Sequence, residues 1–278
     1  MSIADKLTTI AENQQAVYQA GYNKGEGDAG AGAYQVGYET GHAEGFQEGK
    51  AEGFQEGKSE GFADGKQAEY DRFWDAVHAS IRNYGLANAF SGAAWTKDTF
   101  RPKQSILNDE NPYMTFRGSK IDVDLPAYLE ELGVEITFKP GVALQYTFYN
   151  TWFTRLGTFD LRDRLYLNNC FDNSNRLVTI DKIICNNKTT FNGTFQYCSA
   201  LENIVFEGEL AKNGLNLQWS TKLSKASITS VINVLSGSTS GLTVTMSKTA
   251  VTNAFGSTTA AEWTALVATK SNWTISLV

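Results

Sequence analysis

The chain has 278 residues, a net charge of −6 and a sequence pI of about 5.1. That acidity argues against a general nucleic-acid binder, which carries a basic face, and no apolar run approaches the roughly 18 residues needed to span a membrane. The cysteines Cys170, Cys185 and Cys198, with no CxxC and no Cys/His cluster, argue against a disulfide framework and against structural zinc.

The opening MSIADKLTTIAENQQAVYQ is polar and has no signal-peptide core, so synthesis in a cytoplasm is expected. Ile3, Leu7, Ile10, Gln14 and Val17 step by 4, 3, 4 and 3, the seam of a coiled coil. A different period follows. Gly or Ala stands at every fourth residue: Gly21, Gly25, Ala29, Ala33, Gly37, Gly41, Gly45, Gly49, Gly53, Gly57, Gly61 and Gly65. One step after the glycines come Phe46, Lys50, Phe54, Lys58, Phe62 and Lys66; one step before come Glu44, Glu48, Glu52, Glu56, Glu60 and Asp64. On an α-helix each lane is a near-vertical stripe.

A helical glycine costs about 1 kcal/mol relative to alanine, so ten of them cost on the order of 10 kcal/mol. Close approach of neighbouring helices along the stripe would offset that cost. A period of 4.0 exceeds 3.6, so the stripe drifts and demands a right-handed wrap. The competing reading is a flexible Gly-rich linker, which has no reason to keep its lanes in order. Residues 1–84 are therefore expected to be a helical, homo-oligomeric stalk, roughly 120 Å long at 1.5 Å per residue. Its interface would use Ile3, Leu7, Ile10 and Val17, the glycines Gly37, Gly41, Gly45, Gly49, Gly53, Gly57, Gly61 and Gly65, and Phe46, Phe54 and Phe62. The end of this region has apolar residues at Phe73, Trp74, Val77, Ile81 and Tyr84, with Gly85 suited to a C-cap.

Residues 85–112, with turn signals and prolines at Pro102 and Pro112, read as a connector. Residues 113–278 carry internal repeats. TFYNTWFTRLGTFDL (147–161), CFDNSNRLVTIDKI (170–183) and TFQYCSALENIVF (194–206) align on Phe148, Phe171 and Phe195, which recur at a nearly constant interval. Leu177 and Leu201 follow at +6, Ile180 and Ile204 at +9. The first copy reads as two longer, giving Leu156 and Phe159. LQWSTKLSKASI reads as a degenerate fourth copy, with Trp219 one further interval on. This period predicts a leucine-rich-repeat solenoid. Cys170 falls in a column with Thr147 and Thr194, and Cys198 with Thr151 and Ser174, as small core-ladder residues. DLPAYLEELGVEITF (124–138) predicts a helix and a strand before the repeats. Residues 224–237, 241–248, 259–270 and 273–278 predict helix, strand, helix and strand after them. The fold class is thus α followed by an α/β solenoid, a long stalk with a short repeat head and a C-terminal cap.

Nothing in the sequence converges on catalysis. His42 and His78 lack a nucleophile in a recognisable context, and Asp122-x-Asp124 reads better as a turn before a helix than as half a calcium site. The GxGxxG look-alikes at 25–32 belong to the small-residue lattice and follow no strand. No enzyme activity, cofactor or metal is expected, although a carboxylate pair for glycoside cleavage is not singled out or eliminated. Tyr149, Asn150, Trp152, Asp172, Asn173, Asn175, Gln196 and Tyr197 share one loop column, where rings and amides could stack on and bond a sugar. The bland reading has Trp152 and Tyr197 filling the convex side of the solenoid.

The Phe-x(5)-Leu-x-x-Ile unit resembles BspA-type leucine-rich repeats of bacterial and phage surface proteins. AEYDRFWDA (68–76), WTKDTFRPK (95–103), QWSTKLSKASITSVINVLS (218–236) and the opening MSIADKLTTIAEN resemble proteins of tailed phages and prophages of gut Firmicutes. The resemblance implies a virion structural protein of the tail or baseplate, made in the host cytoplasm. Its expected partners are copies of itself, a trimer by preference, other tail or baseplate proteins, and a glycan or protein of the host surface. A purely architectural virion element and a prophage-derived bacterial adhesin are the alternatives.

Overall fold

The structure is a computed structural model that describes residues 31–84, 86–108, 112–138, 143–163 and 167–278. The chain divides into two compact units, Met1–Asp75 and Ala76–Val278.

The first unit holds most of helix α1 (Ala31–Tyr84), whose 54 residues span about 80 Å. The glycine lattice from Gly37 to Gly65 lies within it. At Gly57, Gly61 and Gly65 an added Cβ would meet nothing within 4 Å. Phe62 is 65 % exposed, and Lys66 Nζ sits 4.4 Å from its ring centroid. The described residues therefore supply no packing against this part of the stripe. Ile3, Leu7, Ile10, Val17, Gly85 and the side chains of Phe46 and Phe54 lie outside the described residues.

The second unit is built on a ladder of similar turns centred on Phe90, Phe116, Phe148, Phe171 and Phe195, all fully buried or nearly so. Each turn bends twice through the left-handed region, two residues before and two after its phenylalanine. The first set is Asn88, Met114, Tyr146, Asn169 and Gly193; the second is Gly92, Gly118, Asn150, Asn173 and Tyr197. Gly and Asn dominate because they tolerate positive φ. The phenylalanine N–H of each turn donates to the next: Phe90 to Thr115 O, Phe116 to Thr147 O, Phe148 to Cys170 O, Phe171 to Thr194 O. The rings stack in the same order at 5.2, 5.4, 5.9 and 5.6 Å between centroids.

Two flanking columns are small and polar for a reason. Thr115 and Thr194 donate their hydroxyls to Leu86 O and Leu167 O, so the column before the phenylalanines holds the adjoining loops. Three residues after the phenylalanines, Ser174 Oγ donates to Phe148 O at 2.7 Å and Cys198 Sγ contacts Phe171 O at 3.0 Å. Cys170 and Cys198 occupy these columns and are fully buried. Burial pushes the Cys198 thiol well above its ordinary pKa and the Cys185 thiol up to about 12. Both thiols therefore stay protonated at neutral pH and are poor nucleophiles.

Strands follow the later turns. β1 (Ile106–Asn108) pairs in parallel with β2 (Ile136–Phe138). β3 (Arg155–Asp160), β4 (Thr179–Cys185) and β5 (Asn203–Gly208) form a parallel sheet in that order. Leu156 pairs with Ile180 and Ile180 with Ile204, and these three point into the core. At the end of β5, Gly208 has φ 91° and a Cβ there would collide with Cys185 O. Between β1 and β2 lies α2 (Leu125–Leu132). Asp124 caps it, accepting from the Ala127 N–H at 3.1 Å, and Gly133 ends it with φ 66°. Arg155 ties this cap to the sheet, bonding Asp181 at 2.7 Å and Asp124 at 3.3 Å.

The β5 edge is not left open. Helix α3 (Lys225–Val234) packs along it, and its serines replace a neighbouring strand. Ser227 Oγ accepts from Ile204 N at 3.0 Å and donates to Glu202 O at 3.0 Å; Ser230 Oγ accepts from Phe206 N at 3.2 Å. Hydroxyls thus satisfy the unpaired row that would otherwise template aggregation. The double variant S227A/S230A leaves two N–H groups without these partners. It should lose about 1–3 kcal/mol per group in urea unfolding. A third sheet, also parallel, has the order β6 (Asn216–Leu217), β7 (Leu242–Met246) and β8 (Trp273–Leu277). Helices α4 (Lys248–Phe255) and α5 (Ala261–Ala268) connect its last two strands.

Four points differ from the sequence reading. The turns at Phe90 and Phe116 belong to the ladder, although Phe90 falls in the segment read as connector; the longer stretches from Phe90 to Phe116 and on to Phe148 hide them. The 147–161 copy is not longer by two: Leu156 stands with Ile180, and buried Phe153 takes the place before the strand that Leu177 and Leu201 take later. Matching leucine to leucine conceals this. The copy after Phe195 is centred on buried Leu217 rather than on Trp219. Ser220 N bonds Leu217 O as Cys198 N bonds Phe195 O. Finally, α4 has no counterpart among the predicted elements; Ser247 caps it by accepting from the Ala250 N–H.

Candidate functional site

The turns present one edge to solvent, formed by the positions one, two and four places after each phenylalanine. The eight residues predicted for binding all hold these positions. Asn150 and Asn173 occupy equivalent left-handed places on consecutive turns and are joined side chain to side chain, Asn173 Nδ2 donating to Asn150 Oδ1 at 3.1 Å. Asn150 N bonds Asp172 O and Asn173 N bonds Gln196 O, so the backbone sets their spacing. Asn175 is exposed and Gln196 half-buried.

Tyr149 and Trp152 are engaged by cations absent from the predicted site. The Arg117 guanidinium lies 5.5 Å from the Tyr149 ring, and Trp152 has Arg176 at 4.2 Å and Lys120 at 5.2 Å. Arg176 also pairs with Asp122. Arg117 lies within reach of pattern: TFRGS at 115–119 aligns with TFYNT at 147–151, threonine on threonine and phenylalanine on phenylalanine.

Asp172 is not a surface group. Only 7 % exposed, its carboxylate accepts from Asn169 Nδ2 at 3.1 Å. Burial raises its pKa more than the Asn169 bond lowers it. A carboxyl whose folded pKa is raised ionises first in the unfolded chain, so it costs stability as pH climbs above the unfolded pKa. D172N should therefore melt above the wild type at neutral pH. The difference should close below about pH 4, where the unfolded carboxyl is protonated too. Thermal melts at both pH values check this.

Tyr197 and Trp219 stand at equivalent positions on neighbouring turns. Their ring centroids are 4.6 Å apart, and they are 47 % and 38 % exposed. The register correction places Trp219 here; counted in the phenylalanine column it would have been core.

Elsewhere, a cleft of about 770 Å³ lies among α2, β2 and β3, with an apolar floor including Leu129, Ile136 and Phe159. Glu130, Glu135 and Asp160 are its charged lining, and Arg162 bonds Asp160 at 2.5 Å. Among the described residues, no group of three or more His, Cys, Asp or Glu is placed to hold a metal ion. No described helix is long and apolar enough to cross a membrane. Comparison with protein-family models, with curated proteins and with solved structures finds no match to the chain.

Proposed function

We propose that the chain is a phage virion structural protein of the tail fibre or baseplate, which presents a leucine-rich-repeat head on a homo-oligomeric helical stalk and binds the host surface. The observation that carries the adhesive part is the turn edge. The core is closed by the Phe stack and its Thr, Ser and Cys columns, yet the edge carries Tyr149, Trp152, Tyr197 and Trp219 among amides and hydroxyls. Half-exposed rings beside hydrogen-bonding groups have the composition of a recognition surface.

Two further features support the reading. The glycine stripe at Gly57, Gly61 and Gly65 has none of the described residues packed on it, which suits packing by other copies. The resemblance of 68–76, 95–103 and 218–236 to phage tail-associated proteins supplies the setting. Several weak head sites on one assembly would gain avidity without new contacts.

The test uses the full chain, fluorescently labelled, on intact Gram-positive cells and isolated envelopes, with its mass measured by light scattering. Saturable envelope binding by an oligomer is the expected result. An oligomer that binds no envelope would favour the architectural alternative, a tail spacer touching only other virion proteins. A monomer at all concentrations would sink the stalk.

A further inference from the structure

We propose that Tyr197 and Trp219 form a stacking platform for an uncharged pyranose ring of a surface glycan, with neighbouring Gln196, Gln218, Ser199 and Thr221 bonding its hydroxyls. The inference rests on the adhesive reading above and names its ligand class.

Backbone conformation is the first argument. Tyr197 has φ 55°, in the left-handed region, at the place where the preceding turns carry Gly92, Gly118, Asn150 and Asn173. Gly and Asn are the residues that accept this conformation; a tyrosine there is strained. Tyr146 takes the same conformation at φ 54° but is half-buried against the Tyr113 and Tyr149 rings, whereas Tyr197 remains 47 % exposed. Its ring packs on Trp219, and both rings stay exposed, so the pair points to a partner.

The second argument is geometry. Trp219 holds the equivalent place one turn on: Thr221 N bonds Trp219 O as Ser199 N bonds Tyr197 O and Asn175 N bonds Asn173 O. The two rings are stacked, 4.6 Å apart at 36°, so each covers one face of the other and leaves its remaining surface solvent-accessible. Stacking on one another limits their side-chain freedom before any ligand arrives, which lowers the entropic cost of binding.

Charge decides the class. The Tyr149 and Trp152 rings have Arg117, Lys120 and Arg176 against them. Among the described residues, no cation is stacked on Tyr197 or Trp219. The residues one before and two after each ring are Gln196 and Ser199, Gln218 and Thr221: all neutral, all half-buried or exposed. An apolar face with neutral donors and acceptors beside it suits a sugar with one C–H face and peripheral hydroxyls; the nearest cation along the chain, the exposed Lys222, is stacked on neither ring.

The experiment prints neutral and acidic glycans on one array and probes it with the labelled full chain and with Y197N, W219S and W219F. The wild type should retain a set of neutral glycans. W219S and Y197N should weaken that binding about tenfold or more, as loss of an anchoring aromatic does, while W219F should keep most of it. Y197N should also melt no lower than the wild type, since asparagine is what Asn150 and Asn173 already provide. A clearly lowered Y197N melting temperature would assign the ring to structure and overturn the proposal. So would neutral-glycan binding indifferent to both substitutions, signal confined to acidic glycans, or envelope binding abolished by protease treatment of the envelope. Envelope binding that survives Y197N and W219S removes the platform and leaves adhesion standing; a wild type that binds no envelope and no glycan removes both.

Discussion

Replacing three glycines together, G57L/G61L/G65L, is expected to convert an oligomer into single chains. On an isolated helix the same change would do the opposite of harm. Leucine is a better helix former than glycine by up to about 1 kcal/mol per site, and three sites should add about 2–3 kcal/mol of helix stability. The structure shows open space at all three positions, so no described neighbour opposes the new side chains. A second helix lying in the stripe would clash with them. Light-scattering mass and circular dichroism on the full-length chain separate the cases. A fall in mass with reduced thermal stability assigns the stripe to assembly. An unchanged mass with a higher melting temperature would show that the glycines are not an interface, and the stalk would have to be abandoned.

The second large effect is expected at the centre of the ladder. Phe171 is fully buried, with Phe148 at 5.9 Å, Phe195 at 5.6 Å and Phe159 at 5.3 Å between ring centroids. F171A removes a ring that is shared by the turns on either side, and the cavity cannot close without breaking the stack. A loss of about 3–5 kcal/mol in urea unfolding is expected. A loss below about 1 kcal/mol, the level of an ordinary surface change, would mean the stack does not carry the fold of this unit.

Several elements are legible in the sequence. Asp124 followed by Leu125-Pro126 announces a helix start, and the structure has Asp124 capping α2. Ser224 before an apolar-periodic run announces the helix at Lys225–Val234. The helix at Lys248–Phe255 is not legible. Of the apolar residues in KTAVTNAF only the adjacent Ala250 and Val251 are buried, so no helical period registers. The candidate edge is half legible. Its amides and three of its rings stand in the right column, but Asp172 reads as a surface acid and is buried, and Trp219 reads as core and is exposed.

The sequence by itself determined what each residue does within its own turn. A glycine every fourth residue on a helical stripe, and a phenylalanine recurring with leucine and isoleucine at fixed offsets, are patterns of the chain itself. They can be read without knowing what lies next door. Tertiary structure alone decided which turns are neighbours. Loop length carries little of that information, because lengthening a connection costs only about 0.6 kcal/mol per doubling. Phe90, Phe116, Phe148, Phe171, Phe195 and Leu217 are unevenly spaced along the chain, yet each delivers a turn to the same ladder. The serines that close β5, the cations on Tyr149 and Trp152, and the meeting of Tyr197 with Trp219 all depend on that stacking order. Each is a contact between segments distant in the chain, and no period along the chain encodes it.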